Sequence, residues 1–189
     1  RKDYLRSDDD QTATTLPKSM WIEKDLNNDY GRRALKDLFG EPMIDHPKPP
    51  ALMRKLLRIG SRPGDLVLDF FAGSGTTGHA VLAENEEAGG DRRFILVQLP
   101  EPTGREDYPN LAAITRERVR RVGRQLGALS DARRDRGFRA LEVANSNFRP
   151  WQAEPGADVA VLRRQLLEHV DPILPDRGEQ DLLFEILLK

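Results

Sequence analysis

The 189 residues include 38% hydrophobic and 32% charged side chains, carry a formal net charge of −1 and contain no cysteine. No apolar run approaches the ~20 residues that a membrane span needs, and the lack of thiols excludes disulfides, zinc–thiolate sites and thiol catalysis. A globular cytoplasmic protein, away from any membrane, is the expectation; Arg1 at the start and an uncapped apolar run at the end suggest a piece of a longer chain.

The first 20 residues are polar and aperiodic and read as a loop. A helix is expected over residues 30–39, with Ala34, Leu35, Leu38 and Phe39 apolar and Gly40 after its end. Pro42, Pro47, Pro49 and Pro50 then force extended backbone, and Pro50 can open the next helix, whose Leu52, Leu56 and Ile59 share a face with Met53 and Leu57 beside them. Leu66-Val67-Leu68-Asp69-Phe70-Phe71 is a nearly continuous apolar run, the pattern of a strand buried on both faces. It runs into Ala72-Gly73-Ser74-Gly75-Thr76-Thr77-Gly78, a helix to about residue 85, the turn Gly89-Gly90-Asp91, and a second buried strand over residues 93–99. This order is a βαβ unit, which implies parallel strands and a right-handed crossover.

Pro100, Pro102 and Pro109 follow. A helix is expected over 111–126, with Leu111, Ile114, Val119, Val122 and Leu126 on its apolar side and most arginines elsewhere. A strand is expected over 138–143 and a helix over 156–170, with Val159, Leu162, Leu166 and Val170 in register. The small net charge averages opposite segments: 61–104 carries −4 and 105–149 carries +5, the latter from arginine alone. Arginine suits phosphate contact, but its spacing also suits a solvated helix face.

Gly73-x-Gly75-x-x-Gly78 formally matches the dinucleotide fingerprint. A phosphate-cradling P-loop needs Lys after the last glycine, and His79 stands there. An acid at the strand end, Asp69, would repel a pyrophosphate but suits a ligand with positive charge near the loop, as S-adenosylmethionine has in its ammonium and sulfonium. Glycines let the backbone approach the ligand closely. Thr76 and Thr77 can cap the following helix, and Gln98, or Glu101 beyond it, stands where a ribose would be met. One of Phe70 and Phe71 is expected to line an adenine pocket while the other fills core. His46, Glu101, Trp21 and Trp151 read as structural, and His79 as a satisfied helix residue.

Asp69-Phe70-Phe71-Ala72-Gly73-Ser74-Gly75-Thr76-Thr77 resembles motif I of the β-class amino methyltransferases acting on DNA, and the upstream His46-Pro47-Lys48-Pro49 resembles their motif X. Asn28-Asp29-Tyr30-Gly31, Leu38-Phe39-Gly40, Gly137-Phe138-Arg139, Ser146-Asn147-Phe148 with Trp151, and the closing Phe184 to Lys189 segment narrow the resemblance to the modification (Mod) subunits of type III restriction-modification systems. It covers residues 20 to 189. It implies an α/β, Rossmann-like S-adenosylmethionine-dependent methyltransferase fold, present in part, with a mostly parallel sheet and a small mixed C-terminal region. The implied organisation is an upstream region or linker over 1–40, a cofactor-binding part over 41–127 and a C-terminal region over 128–189.

The implied activity is adenine N6 methylation of double-stranded DNA, with a restriction (Res) subunit as partner and a Mod homodimer in the full-length protein. The implied cofactor-binding residues are His46, Lys48, Asp69, Phe70, Phe71, Ala72, Gly73, Ser74, Gly75, Thr76, Thr77 and Gln98. The family's Asp-Pro-Pro-Tyr motif is not in the chain, whose nearest string is Lys48-Pro49-Pro50-Ala51, so no catalytic residue and no metal ligand carries over. A non-catalytic remnant or DNA- or partner-binding subunit, and a dinucleotide oxidoreductase, are the competing readings.

Overall fold

The computed structural model describes residues 4–5, 14–15, 17–129, 135–149, 158–168 and 172–188. The chain divides into two compact units, Arg1–Arg139 and Ala140–Lys189.

In the first unit, β1 (Tyr4–Leu5) and β2 (Thr14–Thr15) form a short antiparallel ladder where the sequence suggested only loop. After a 3-10 turn at Lys24–Leu26, α1 runs Asn28–Phe39. It starts ahead of the apolar pattern because the Asn27 side chain accepts the Asp29 N–H at 3.1 Å, a side-chain cap. It ends at Gly40 in the left-handed region, φ 87°.

Helix α2 (Pro50–Gly60) opens at a proline, whose missing donor is harmless in a first turn. Its buried side is set by Leu57, with Met53 one turn earlier, while Leu56 and Ile59 are exposed. The expected Leu52–Leu56–Ile59 face is thus corrected, since the apolar residues with a neighbour to pack on are the pair spaced by four.

β3 (Leu66–Asp69) and β4 (Arg93–Leu96) pair in parallel, Leu66 opposite Arg93 and Asp69 opposite Leu96. The crossover between them is α3 (Thr76–Ala88), which ends at Gly89. The Asn85 amide clamps the return by bonding both the N–H and the carbonyl of Arg92, at 3.0 and 2.8 Å. Helix α4 (Leu111–Leu129) follows.

α3 lies between α2 and α4 on one face of this sheet. Ala80 and Val81 meet Leu57, Met53, Val67 and Phe94. Leu82 meets Val119, Val122, Phe94 and Leu96. Gly78 permits this contact: a Cβ there would stand 2.9 Å from Leu96 Cδ1 and 3.0 Å from Val119 Cγ2. Across the top of α3, buried Glu84 holds Arg54 at 3.0 Å and Arg58 at 2.7 Å. Burial pushes the Glu84 carboxyl up, but the two guanidiniums outweigh it and hold the group below its ordinary range. A third cluster, Leu35, Met43 and Ile114, ties α1 to α4.

The strands are not buried on both faces as their apolar run suggested. Val67, Phe94 and Leu96 face the helices, whereas Leu66, Leu68 and Ile95 are about half exposed. All three described helices that reach this sheet lie on one side of it.

In the second unit, α5 (Val159–Glu168) and α6 (Glu179–Leu188) are the helices, and Phe148, ahead of α5, bridges Ile173, which lies between them in sequence. Glu185 on α6 accepts the Ser146 hydroxyl and the Asn147 N–H, each at 2.6 Å. The strand expected over 138–143 does not form: the segment pairs with no strand among the described residues, and Leu141 and Val143 are exposed. Trp151, His169 and Val170 lie outside the described residues.

Candidate functional site

At the carboxyl end of the parallel pair the chain turns sharply into α3. Val97 N–H donates to Asp69 O at 2.8 Å and Ala72 N–H to Val97 O at 3.1 Å, which extends the ladder past β3 and then folds the loop back over β4. The Gly75 N–H closes the turn on Ala72 O at 2.7 Å. Gly73 and Gly75 hold φ of 55° and 81°, and at Gly75 a Cβ would also press on Thr115 Cγ2 at 3.0 Å. A side chain at position 75 would therefore meet both backbone strain and a packed helix.

The sequence-derived residues converge here, in unequal ways. Asp69 accepts the Phe71 N–H at 3.0 Å through one oxygen and the Thr77 hydroxyl at 2.5 Å through the other. Gln98 accepts the Gly73 N–H at 2.7 Å and donates to Leu99 O at 3.1 Å. The Thr76 hydroxyl donates to Lys48 O at 3.2 Å, which fastens the Pro47–Pro49 stretch to the loop. The Lys48 side chain is exposed, as is His46 before it. Thr76 and Thr77 do not cap α3. The cap position belongs to Gly75, which has no side-chain acceptor, and both hydroxyls are drawn inward instead. Ala72, Ser74, Gly75, Thr76 and Thr77 are buried. Phe70 and Phe71 are 64% and 88% exposed, so neither fills the core.

Two residues that sequence reasoning missed complete the loop from below. The Thr115 hydroxyl on α4 is shared between Gly73 O and Leu111 O. Arg118, one turn on, is completely buried, and its Nη1 donates to the Ser74 and Thr76 hydroxyls at 2.8 and 2.7 Å. The pattern held a signal for it: Ile114, Arg118 and Val122 are spaced by four on the apolar side of α4.

His79 shares this interior. Burial first, then the positive charges of Arg118 and Arg54, push its imidazole from 6.5 down to about 3. Between those limits an unfolded chain takes up a proton here and the folded one does not, so stability falls as pH falls, by up to about 1.4 kcal/mol per pH unit. We expect the urea midpoint to drop between pH 7 and pH 5, and His79→Asn, which keeps an acceptor in place of Nδ1, to remove most of that drop. An unchanged pH slope in the variant would reject the assignment.

A cavity of about 590 Å³ runs beside β3 between α2 and the strand. Of the candidate residues only Asp69 and Thr77 line it, so it flanks the loop without being centred on it. The loop itself offers close backbone approach, one carboxylate at the strand end and two exposed aromatic rings. That set suits a cationic, ring-bearing ligand better than a pyrophosphate.

Residues 2–99, which include the loop, β3, α3 and β4, match the DNA methylase family. The chain is similar to the type III restriction-modification enzyme StyLTI Mod subunit of Salmonella typhimurium, 38% identical over 135 residues, covering 68% of this chain and 21% of that protein. It is 35% identical over 139 residues to the EcoPI Mod subunit of Escherichia phage P1, covering 70% and 22%. It is 32% identical over 85 residues to the type II methyltransferase M.KpnI of Klebsiella pneumoniae, covering 45% and 20%. The chain spans about a fifth of the length of these relatives. With more than half its residues matched, the loop-bearing ones among them, this chain belongs to the DNA methylase family.

Proposed function

We propose that the chain carries the S-adenosylmethionine-binding part of an adenine N6 DNA methyltransferase of a type III restriction-modification system, cytoplasmic and away from the membrane. On this reading β3, α3 and β4 are part of a larger Rossmann-like sheet and residues 41–127 hold the donor. Double-stranded DNA is the substrate, a restriction subunit the partner and a homodimer the working form of the longer protein. The observation that supports it most is Asp69, held at the strand end by Thr77 and Phe71 across from a loop that needs glycine at positions 73 and 75.

S-adenosylmethionine supplies an electrophilic methyl group on a sulfonium. The residues of this chain bind and orient. Asp69 presents negative charge to the donor's cationic end. Gln98 and Thr115 shape the loop so that its backbone lies against the ligand. Phe70 and Phe71 offer apolar ring surface at the mouth. Because the chain has no Asp-Pro-Pro-Tyr, no residue in it takes the hydrogens of the adenine amine, and the base must leave the stack to reach the donor. The chain alone is expected to bind the donor and to transfer no methyl group. Calorimetric titration with S-adenosylmethionine and with NAD is the test. Donor binding without NAD binding supports the reading, and the reverse result returns the fingerprint to a dinucleotide site.

A further inference from the structure

Arg118 is the largest fully buried side chain of the described residues, and it is a cation. Among the other buried charged groups of the described residues, Glu84 sits between two guanidiniums and Arg92 is held by the Ser61 hydroxyl and carbonyl. Arg118 has no carboxylate within salt-bridge distance among the described residues. Its Nη1 reaches two hydroxyls, its Nη2 lies 3.4 Å from His79 Nδ1, and its Nε has no partner among the described residues. Burial pulls the guanidinium down to about 10, which still leaves it charged at neutral pH. An uncompensated buried cation is costly, and an apolar side chain would fill the space under the loop at less expense.

The place of this charge is informative. Both hydroxyls it holds belong to the turn into α3: Ser74 in the glycine loop and Thr76 at the first residue of the helix. The start of α3 carries the positive end of the helix dipole, and Gly75 supplies no side-chain acceptor to offset it. Two positive sources are therefore stacked beneath one loop. The acid at this end of the sheet, Asp69, stands at the strand terminus with its oxygens committed to Thr77 and Phe71. The site is polarised, negative at the end of β3 and positive at the start of α3. A ligand that bears a cation and a carboxylate a few bonds apart matches that polarity, whereas one that bears only the cation does not.

We infer that Arg118 is a positioning and specificity-determining residue, which seats the glycine loop through Ser74 and Thr76 and, through its unneutralised charge, directs the carboxylate of the ligand's amino-acid moiety to the start of α3. This rests on the donor reading above and adds a rule about which donors are accepted. Arg118 acts from behind the loop and touches no ligand atom itself.

The test compares S-adenosylmethionine with decarboxylated S-adenosylmethionine, which differ only in the carboxylate, by calorimetric titration of the 189-residue chain. The unaltered chain is expected to favour the carboxylate-bearing donor at least tenfold. Arg118→Met should bring that ratio close to one, and Arg118→Lys, which restores the charge but not the two-hydroxyl grip, should recover most of it. A parallel loss of both ligands in Arg118→Met would reduce the residue to scaffold and overturn the inference. If Arg118→Met does not fold, the unaltered chain and Arg118→Lys still decide: equal affinity for the two donors in either overturns it. Binding of neither ligand by the unaltered chain overturns the donor reading itself, a separate and recognisable failure.

Discussion

Gly31→Ala is expected to destabilise the first unit by about 3 kcal/mol, a fall in melting temperature of roughly 10 °C. Gly31 lies inside α1, where alanine is ordinarily favoured by about 1 kcal/mol. Here the new Cβ would stand 2.1 Å from the Pro47 carbonyl oxygen and 2.9 Å from the Lys48 carbonyl carbon, both backbone atoms. Neither can swing aside, because Pro47 and Pro49 are fully buried and fixed in extended geometry. The clash also propagates, since Lys48 O accepts the Thr76 hydroxyl and a shifted carbonyl loosens the glycine loop. Gly127→Ala in α4 is the control. Among the described residues only Arg136 Nη1 comes near its would-be Cβ, at 3.9 Å, and that change should be neutral or stabilising. Thermal melts of the two variants side by side check this. Equal or raised stability in Gly31→Ala would show that α1 does not press on the proline segment.

The same contact shows where the sequence was legible and where it was not. The βαβ unit could be read because its signals are local: an apolar run, glycines with positive φ, a helix, a turn and a second run. Gly31 carried no such signal, because its partner, Pro47, is brought opposite by folding. Arg118 was hidden by its company, one arginine among several on α4, although its spacing by four from Ile114 and Val122 marked the buried side. The strand pattern suggests burial on both sides, and that expectation fails, since Leu66, Leu68 and Ile95 are half exposed. Apolarity reports what a strand can bury, and it carries no information about where the covering layer comes from. Phe70 and Phe71 failed for a related reason. They follow the last paired residue of β3, so strand alternation no longer sends one of them inward.

The hydroxyls of the loop teach a similar lesson. Side chains of Ser and Thr beside a helix start suggest caps, because that is their cheapest local use. Here Thr77 is taken by Asp69, Thr76 by Lys48 O and Arg118, and Ser74 by Arg118. The loop is held from three directions by β3, the proline segment and α4. Its shape before any ligand arrives is thus set by tertiary contacts, and pre-set geometry lowers the ordering cost of binding.

Asp69→Asn is expected to weaken S-adenosylmethionine binding about a hundredfold, and Asp69→Ala at least as much. Removing one member of a buried charge pair costs on the order of 3 kcal/mol, and each 1.4 kcal/mol is a factor of ten. The two variants separate two roles that the geometry merges. Asp69 shapes the loop by accepting the Phe71 N–H and the Thr77 hydroxyl, and its charge faces the position assigned to the donor's cations. Asparagine retains a carbonyl oxygen for one of those bonds and removes the charge; alanine removes both. If charge dominates, the two variants lose similar affinity while only Asp69→Ala melts markedly earlier. If loop shape dominates, Asp69→Asn keeps most of the binding and affinity follows thermal stability across the pair. Affinity within threefold of the unaltered chain in both variants would remove Asp69 from the donor site altogether. The preference for a methyl donor over a dinucleotide would then rest on the glycine loop alone.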